Sequence, residues 1–408
     1  MNPAFEDPSA PSAALILSRK DAEALKEQNE RLLYLFRARG YVPVQPPIMQ
    51  PADVFLERSG EQIRARTFLF TDPDGREELC LRPDLTVPIC RLHLQQAEDP
   101  AAEARYACLG PVFRYHARKD PRFPDEYHQA GVEWLGHAQD ARAAADAEVV
   151  RLCVVALRRA GLKRFRLTLG DIGLVRALLA DMPIPSRWRE KLLMRFNRQQ
   201  AFRQTLMTMA GRIPHETGAL AGILKEIARL APADIEAAAA LVQAHLNKLG
   251  TEVLAGRSVE DIARRLLEKA EDMRLPPLAD AHVARIEALL AVQGEPQRAL
   301  SALAALSEKG DGHFAEAVAR LADVIGRLED VFAAGECHFS AGFGRTLEYY
   351  TGMVFSIEAE IGGEWLTVAG GGRYDDMLSS LGGPDVPACG FGIHTERLFL
   401  ATHNGATA

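Results

Sequence analysis

Apolar positions recur at helix-compatible spacing from Asp21 to Arg39, through Leu25, Leu32, Leu35 and Phe36, and Gly40 supplies a C-terminal stop. The pattern predicts a long helix there. A short strand follows over Tyr41 to Val44 and meets Pro46 and Pro47. From Thr67 to Cys80 two short runs flank Asp72-Pro73-Asp74-Gly75, a strong turn sequence, and predict a β-hairpin. Its second strand leads into Leu81-Arg82-Pro83-Asp84-Leu85-Thr86. Further strands are predicted at Arg105 to Tyr115 and Glu126 to Leu135, joined by a charged loop from His116 to Asp125. Helical pattern begins near Asp140, and Phe165 to Leu169 fits another strand.

From about Met182 to Ala334 the chain turns to Ala/Leu-rich amphipathic helices without a fixed-period repeat. One opens at Ser258 with Asp261 as its capping-box partner, and carries Val259, Ile262, Leu266, Ala270 and Met273 on one face. Another carries Phe314, Val318, Leu321, Ile325, Leu328 and Phe332. β-structure returns at Cys337. Met353, Phe355, Ile357, Ala359 and Ile361 alternate with Val354, Ser356, Glu358 and Glu360, which predicts a strand with one buried and one polar face in an antiparallel sheet. The expected architecture is α+β, with a discontinuous core over 1–181 and 335–408 and a helical insertion over 182–334.

Composition narrows the class. The chain has 408 residues, 48% hydrophobic and 25% charged, which suits a soluble protein of two or three domains. A net charge of -7 and the lack of a long Lys/Arg block give no electrostatic footprint for a polyanion. Six scattered cysteines have neither C-x-x-C nor metal-ligand spacing and read as reduced thiols. The apolar stretch Ala13 to Leu17 is too short for a signal h-region, and no run approaches the ~18 apolar residues of a membrane helix, so a cytoplasmic protein is expected. Residues 1–12, rich in Pro, Ala and Ser, read as a loose tail.

Chemistry concentrates in three late signatures: Gly344-Arg345-Thr346-Leu347-Glu348-Tyr349-Tyr350-Thr351-Gly352, Ala369-Gly370-Gly371-Gly372-Arg373-Tyr374-Asp375, and Gly390-Phe391-Gly392-Ile393-His394-Thr395-Glu396-Arg397-Leu398. The glycine run is no G-x-G-x-x-G site, since no helix start follows it, and the chain has no G-K-[ST]. A pocket for a free amino acid needs an acceptor for the ammonium, a cation for the carboxylate and polar partners for a polar side chain. The strand Glu126 to Leu135 puts Tyr127, Gln129, Gly131 and Glu133 on one face, with Gln129 and Glu133 roughly 13 Å apart along the strand. Gly131 leaves a gap between them. Taken singly these residues are equally compatible with plainer roles: Asp84 and Thr86 as caps of a helix beginning near Val87, Gln129 and Glu133 as a solvated strand face, Arg345 as a partner of Glu348.

In order and spacing the segments together resemble the catalytic core of histidyl-tRNA synthetase, a class II aminoacyl-tRNA synthetase, and the stretch from Asp21 to Pro47 resembles the family's motif 1, which forms its homodimer interface. The resemblance implies an antiparallel sheet backed by helices. It also implies a histidine site: Asp84, Thr86 and Gln129 on the amino group, Arg345 on the carboxylate, Glu133 with Tyr350 on the imidazole, and Tyr349 beside them. The glycines of 370–372 would let backbone approach the ligand. Arg114 and Arg397 occupy the motif 2 and motif 3 arginine positions of the nucleotide site. His116 stands where the synthetases have Glu, and His394 where they have Gly, so that site is expected to be crowded and vestigial. Asp84 and Glu348 replace a common Glu and a common Asp.

Only ten residues follow Leu398, which leaves no room for the synthetases' anticodon-binding domain. The combination resembles the regulatory subunits of ATP phosphoribosyltransferase. That resemblance implies a non-catalytic chain with histidine as ligand, no cofactor or metal, and no tRNA or membrane partner, in a hetero-oligomer with a short-form catalytic subunit under feedback control by histidine. The competing expectation is an active enzyme forming histidyl-adenylate.

Overall fold

The computed structural model describes residues 17–56, 64–117, 120–214, 219–231, 234–249, 258–308, 312–345 and 349–403. The tail expected over residues 1–12 lies outside them. The described strands, in chain order, are β1 (Val42–Val44), β2 (Met49–Pro51), β3 (Leu69–Thr71), β4 (Glu78–Leu81), β5 (Ala104–Phe113), β6 (Glu126–Leu135), β7 (Arg166–Asp171), β8 (Gln293–Gly294), β9 (Cys337–Ser340), β10 (Met353–Ile361), β11 (Glu364–Arg373) and β12 (Ala388–His394).

Nine of them form one sheet in the order β1-β5-β6-β12-β11-β10-β7-β9-β8. Pairing is antiparallel from β5 through to β7 and parallel at β1–β5 and β7–β9. The expected antiparallel core is present, with a parallel strand added near each end. β2, β4 and β3 make a small second sheet. The predicted hairpin turn sits between β3 and β4, where Asp72 Oδ1 accepts the Arg76 N–H and the Asp72 carbonyl accepts the Gly75 N–H at 2.9 Å.

Two compact units divide the chain: 1–181 with 288–408, and 182–287. In the first, helices Arg19–Ala38, Arg142–Arg159 and Thr395–His403 pack against the sheet. Ser18 caps the first of these by accepting the Asp21 N–H, and Gly40, at φ 86°, ends it as the sequence suggests. Gln28 donates to the Thr395 carbonyl at 3.0 Å and ties the first helix to the last.

Helix Gly312–Arg327 packs on Ile172–Asp181 and Arg142–Arg159, inside the first unit. The helical segment expected over 182–334 is therefore divided, its last part belonging to the first unit. Periodicity identified the helices but not the core each one joins. The second unit holds helices such as Val259–Met273, with the full Ser258/Asp261 capping box, around Ile223, Ile227, Val242, Leu266 and Leu267. Within it the buried Asp272 accepts from the Trp188 indole and from Lys191 and Arg187.

β10 departs from its predicted alternation. Val354 and Ser356 are buried along with Phe355 and Ile357, and only Glu360 is exposed. The cause is packing: β10 lies inside the sheet, between β11 and β7, and helices Thr395–His403 and Ile172–Asp181 both pack against it.

Candidate functional site

Three neighbouring strands place glycine in one row across the sheet. Gly131 of β6 pairs with Gly392 of β12, and Gly392 with Gly370 of β11. Phe391, of opposite parity, faces the other way and meets Phe36 edge-on at 5.6 Å. The glycine face is bare main chain, and polar heads fill the space. A Cβ at Gly392 would lie 1.9 Å from Gln129 Nε2, one at Gly390 would lie 2.0 Å from Glu133 Oε2, and one at Gly370 would fall on the Arg345 guanidinium. These glycines make room for the side chains of the site, a role beyond the close ligand approach the sequence suggests for 370–372.

Glu133 is the most constrained of these heads. Thr86 donates its hydroxyl to Glu133 Oε1 at 2.6 Å, and Tyr374 donates to Oε2. Burial pushes the carboxyl up to about 8, against the pull of those two bonds. Side-chain hydrogen bonds continue from Thr86 to Tyr349 and from Tyr349 to Tyr350. Asp84 begins the same layer. Its Oδ1 accepts the Val87 N–H at 3.2 Å and caps helix Thr86–Gln96, so the plainer role is real. Its Oδ2, however, is buried without a partner, and so is Gln129 Oε1. Burial raises Asp84 above the usual carboxylate range, with Arg114 opposing. Two orphaned acceptors of this kind are costly unless a donor arrives.

The heads surround a cavity of about 90 Å³. Thr86, Gln129, Arg345, Tyr349 and Tyr350 line it, and so do Arg114, His394 and Arg397. Asp84 and Glu133 stand behind that lining, Glu133 joined to it through Thr86 and Tyr374. Arg345 donates to the Phe355 carbonyl at 2.7 Å, while its Nε is a buried donor without a partner. Thr346, Leu347 and Glu348 lie outside the described residues. Tyr350 precedes β10 in an irregular segment and is buried at the cavity wall.

The expected nucleotide-site residues separate into two groups. His394 stacks on Tyr127, ring centroids 3.8 Å apart and planes at 10°. Burial holds its ring at about 4, so it is neutral. Arg114 is tethered to the Pro83 carbonyl at 2.6 Å, and Arg397 to the carbonyls of Arg122 and Thr367 at 2.9 and 3.0 Å. His116 does not line the cavity but stands close to it: its ring is bound by Arg66, and burial together with the charges of Arg66 and Arg397 lowers it to about 4. His128 and its neighbours fix the motif around Arg397, because Glu396 accepts both the His128 N–H and its ring nitrogen.

Tyr127 and Tyr374 were not assigned from the sequence. Tyr127 shares parity with Gln129, and Tyr374 belongs to the glycine signature itself, so both signals were present. Among the described residues no group of three His, Cys, Asp or Glu side chains could hold a metal, and no helix is long and apolar enough to cross a membrane.

Comparison with known proteins follows the same lines. A histidyl-tRNA synthetase family model matches residues 17–274 and 239–398. The ATP phosphoribosyltransferase regulatory subunit of Mesorhizobium japonicum is 37% identical over 374 residues, 89% of this chain and 94% of that one. Its counterpart in Chelativorans sp. is 35% identical over 375 residues, 90% and 95% of the two chains. Among solved structures, an ATP phosphoribosyltransferase regulatory subunit/histidyl-tRNA synthetase from Bacillus halodurans superposes with a TM-score of 0.66 at 22% identity, covering 99% of this chain and 84% of that one. Apo histidyl-tRNA synthetase of S. aureus gives 0.54 at 19% identity, over 96% and 73%.

Proposed function

The chain belongs to the histidyl-tRNA synthetase family, together with the ATP phosphoribosyltransferase regulatory subunits, and on that premise we propose that it is a non-catalytic histidine sensor. It serves a short-form catalytic subunit in the first step of histidine biosynthesis. Histidine occupies the glycine-floored cavity, with its ammonium on Asp84, Thr86 and Gln129, its carboxylate on Arg345, and its ring toward Glu133, Tyr349 and Tyr350.

The observation that carries this reading is the orphaned buried acceptor Gln129 Oε1 on the same cavity as the unpaired Nε of Arg345, with a second orphaned acceptor, Asp84 Oδ2, behind the lining. An α-amino acid supplies the missing cation and anion together. The His394 ring on Tyr127 argues against adenylation, because it fills space in the cavity that Arg114 and Arg397 also line. tRNA is not a partner. The homodimer forms through helix Arg19–Ala38 and β1, the outermost strand, where Val42 and nearby Ile48 and Met49 are exposed. Feedback follows if histidine binds one state of the complex better than another, with coupling of about 1–3 kcal/mol.

Co-expression with a short-form ATP phosphoribosyltransferase tests the assignment. The two chains should copurify, and the pair should have phosphoribosyltransferase activity that histidine inhibits. Retained Arg114 and Arg397 favour the alternative of an adenylating enzyme, which histidine-dependent pyrophosphate exchange by the chain alone would establish.

A further inference from the structure

A second cavity, of about 350 Å³, opens between helix Arg19–Ala38 and the C-terminal turns of helices Arg142–Arg159 and Thr395–His403. Small-molecule sites have volumes of roughly 300–1,000 Å³. Gln28, which is 4% exposed, forms part of its wall. The amide Nε2 is spent on the Thr395 carbonyl at 3.0 Å, and Oε1 is buried without a partner. An amide oxygen only accepts, so a ligand that satisfies it must bring a donor.

The neighbouring cations set the sign of the ligand. Arg31 spends Nε and Nη2 on the carbonyl and carboxylate of Glu27, both at 3.2 Å, which leaves Nη1. Arg159 lines the cavity and has no hydrogen bond or ion pair among the described residues. The end of its helix does not neutralise it with bare carbonyls, because the N–H groups of Ala160, Gly161 and Leu162 already bond those of Ala156, Arg158 and Leu157. Among the described residues no Asp or Glu lines the cavity, so its unbalanced charge is positive. The remaining wall is apolar at Leu32 and Leu35, with the Tyr34 ring, 75% exposed, as its aromatic surface.

We propose that this cavity is a second ligand site, for a small flat organic carboxylate that carries an N–H. The N–H donates to Gln28 Oε1, Arg159 and the free Nη1 of Arg31 hold the carboxylate, and the ring system rests on Tyr34 and Leu35. One unpaired guanidinium and part of another match a monoanion better than a phosphate dianion. The site shares no residue with the glycine-floored cavity, and it does not depend on the histidine reading.

The test is isothermal titration of the full-length chain with three bicyclic probes of similar size. They are indole-3-acetate, 1-naphthaleneacetate, which lacks the N–H, and tryptamine, which has a cation in place of the carboxylate. Indole-3-acetate should bind saturably at millimolar concentration or below, 1-naphthaleneacetate about tenfold or more weakly because Gln28 Oε1 stays unpaired, and tryptamine not measurably. Arg159→Ala, at an exposed position, should keep the melting temperature and histidine titration of the wild type while weakening indole-3-acetate about tenfold or more. Gln28→Met should bring the two acids to equal affinity. The inference is overturned if indole-3-acetate gives no heat, as it would if a second copy of the chain covered this face. It is also overturned if the wild type binds both acids equally, if Arg159→Ala changes nothing, or if the preference for the N–H survives Gln28→Met.

Discussion

His394 lies flat on Tyr127, 3.8 Å between ring centroids and 10° from parallel, inside the cavity that also contains Arg114 and Arg397. Both arginines are occupied by main-chain carbonyls, and the aromatic surface between them is occupied by the chain's own imidazole. On the proposed reading this is a nucleotide site that keeps its cations and is closed by the chain's own imidazole.

His394→Gly should reopen it. The variant is expected to acquire measurable ATP binding where the wild type has none, with histidine affinity within about threefold of wild type. Stacking of a base on an aromatic side chain is worth about 1–3 kcal/mol, enough to be seen by titration. Unchanged silence toward ATP would mean that something besides His394 closes the site.

Gly390→Ala places a methyl 2.0 Å from Glu133 Oε2 and 2.4 Å from the Val132 carbonyl. The second atom is main chain and cannot swing aside. The substitution should cost roughly 1–3 kcal/mol of stability and abolish histidine binding. Gly222→Ala is the control: nothing lies within 4 Å of its new Cβ, and in a helix it should stabilise by roughly 0.5–1 kcal/mol. Thermal melts of the two variants should move in opposite directions, and histidine titration should be lost in Gly390→Ala and unchanged in Gly222→Ala.

Much of this arrangement could be read from the sequence. The strand Glu126–Leu135 was found to the residue, because its alternation places Gln129 and Glu133 on the glycine face and Ala130 and Val132 in the core. The capping box at Ser258 and the turn at Asp72 were equally clear, since each is local chemistry within four residues. What could not be read depends on distant partners. His116 meets Arg66, fifty residues away, and that contact has no local signature. Val354 and Ser356 fall on the face the alternation marks as polar, but helices from distant parts of the chain pack on β10 and both residues are buried. The glycines looked like ligand clearance, and only the register of β6, β12 and β11 reveals that they clear space for side chains of the protein itself.

Glu133 makes ligand-free stability depend on pH. Its folded value of about 8 lies above its ordinary 4.5, so the folded state holds a proton that the unfolded chain has released. That contribution is full below about 4.5 and is lost as pH rises through about 8. Glu133→Gln carries no such loss. Relative to wild type its melting temperature should rise progressively between pH 5 and 8, by the equivalent of about 1 kcal/mol or more, while its response to histidine disappears. Melts of the two proteins that stay parallel across this range would show that Glu133 does not titrate there.

Arg345→Lys keeps a charge but loses the planar fork that reaches both the Phe355 carbonyl and the cavity. Histidine should bind about 10- to 100-fold more weakly, with the melting temperature of the ligand-free protein little altered. Equal affinity in the variant would move the carboxylate contact away from Arg345.

The most direct measurement is isothermal titration of the full-length wild-type chain with L-histidine and, separately, with ATP. A histidine sensor on a closed synthetase site gives saturable heat for histidine at millimolar concentration or below and none for ATP. Heat for ATP with none for histidine would contradict it.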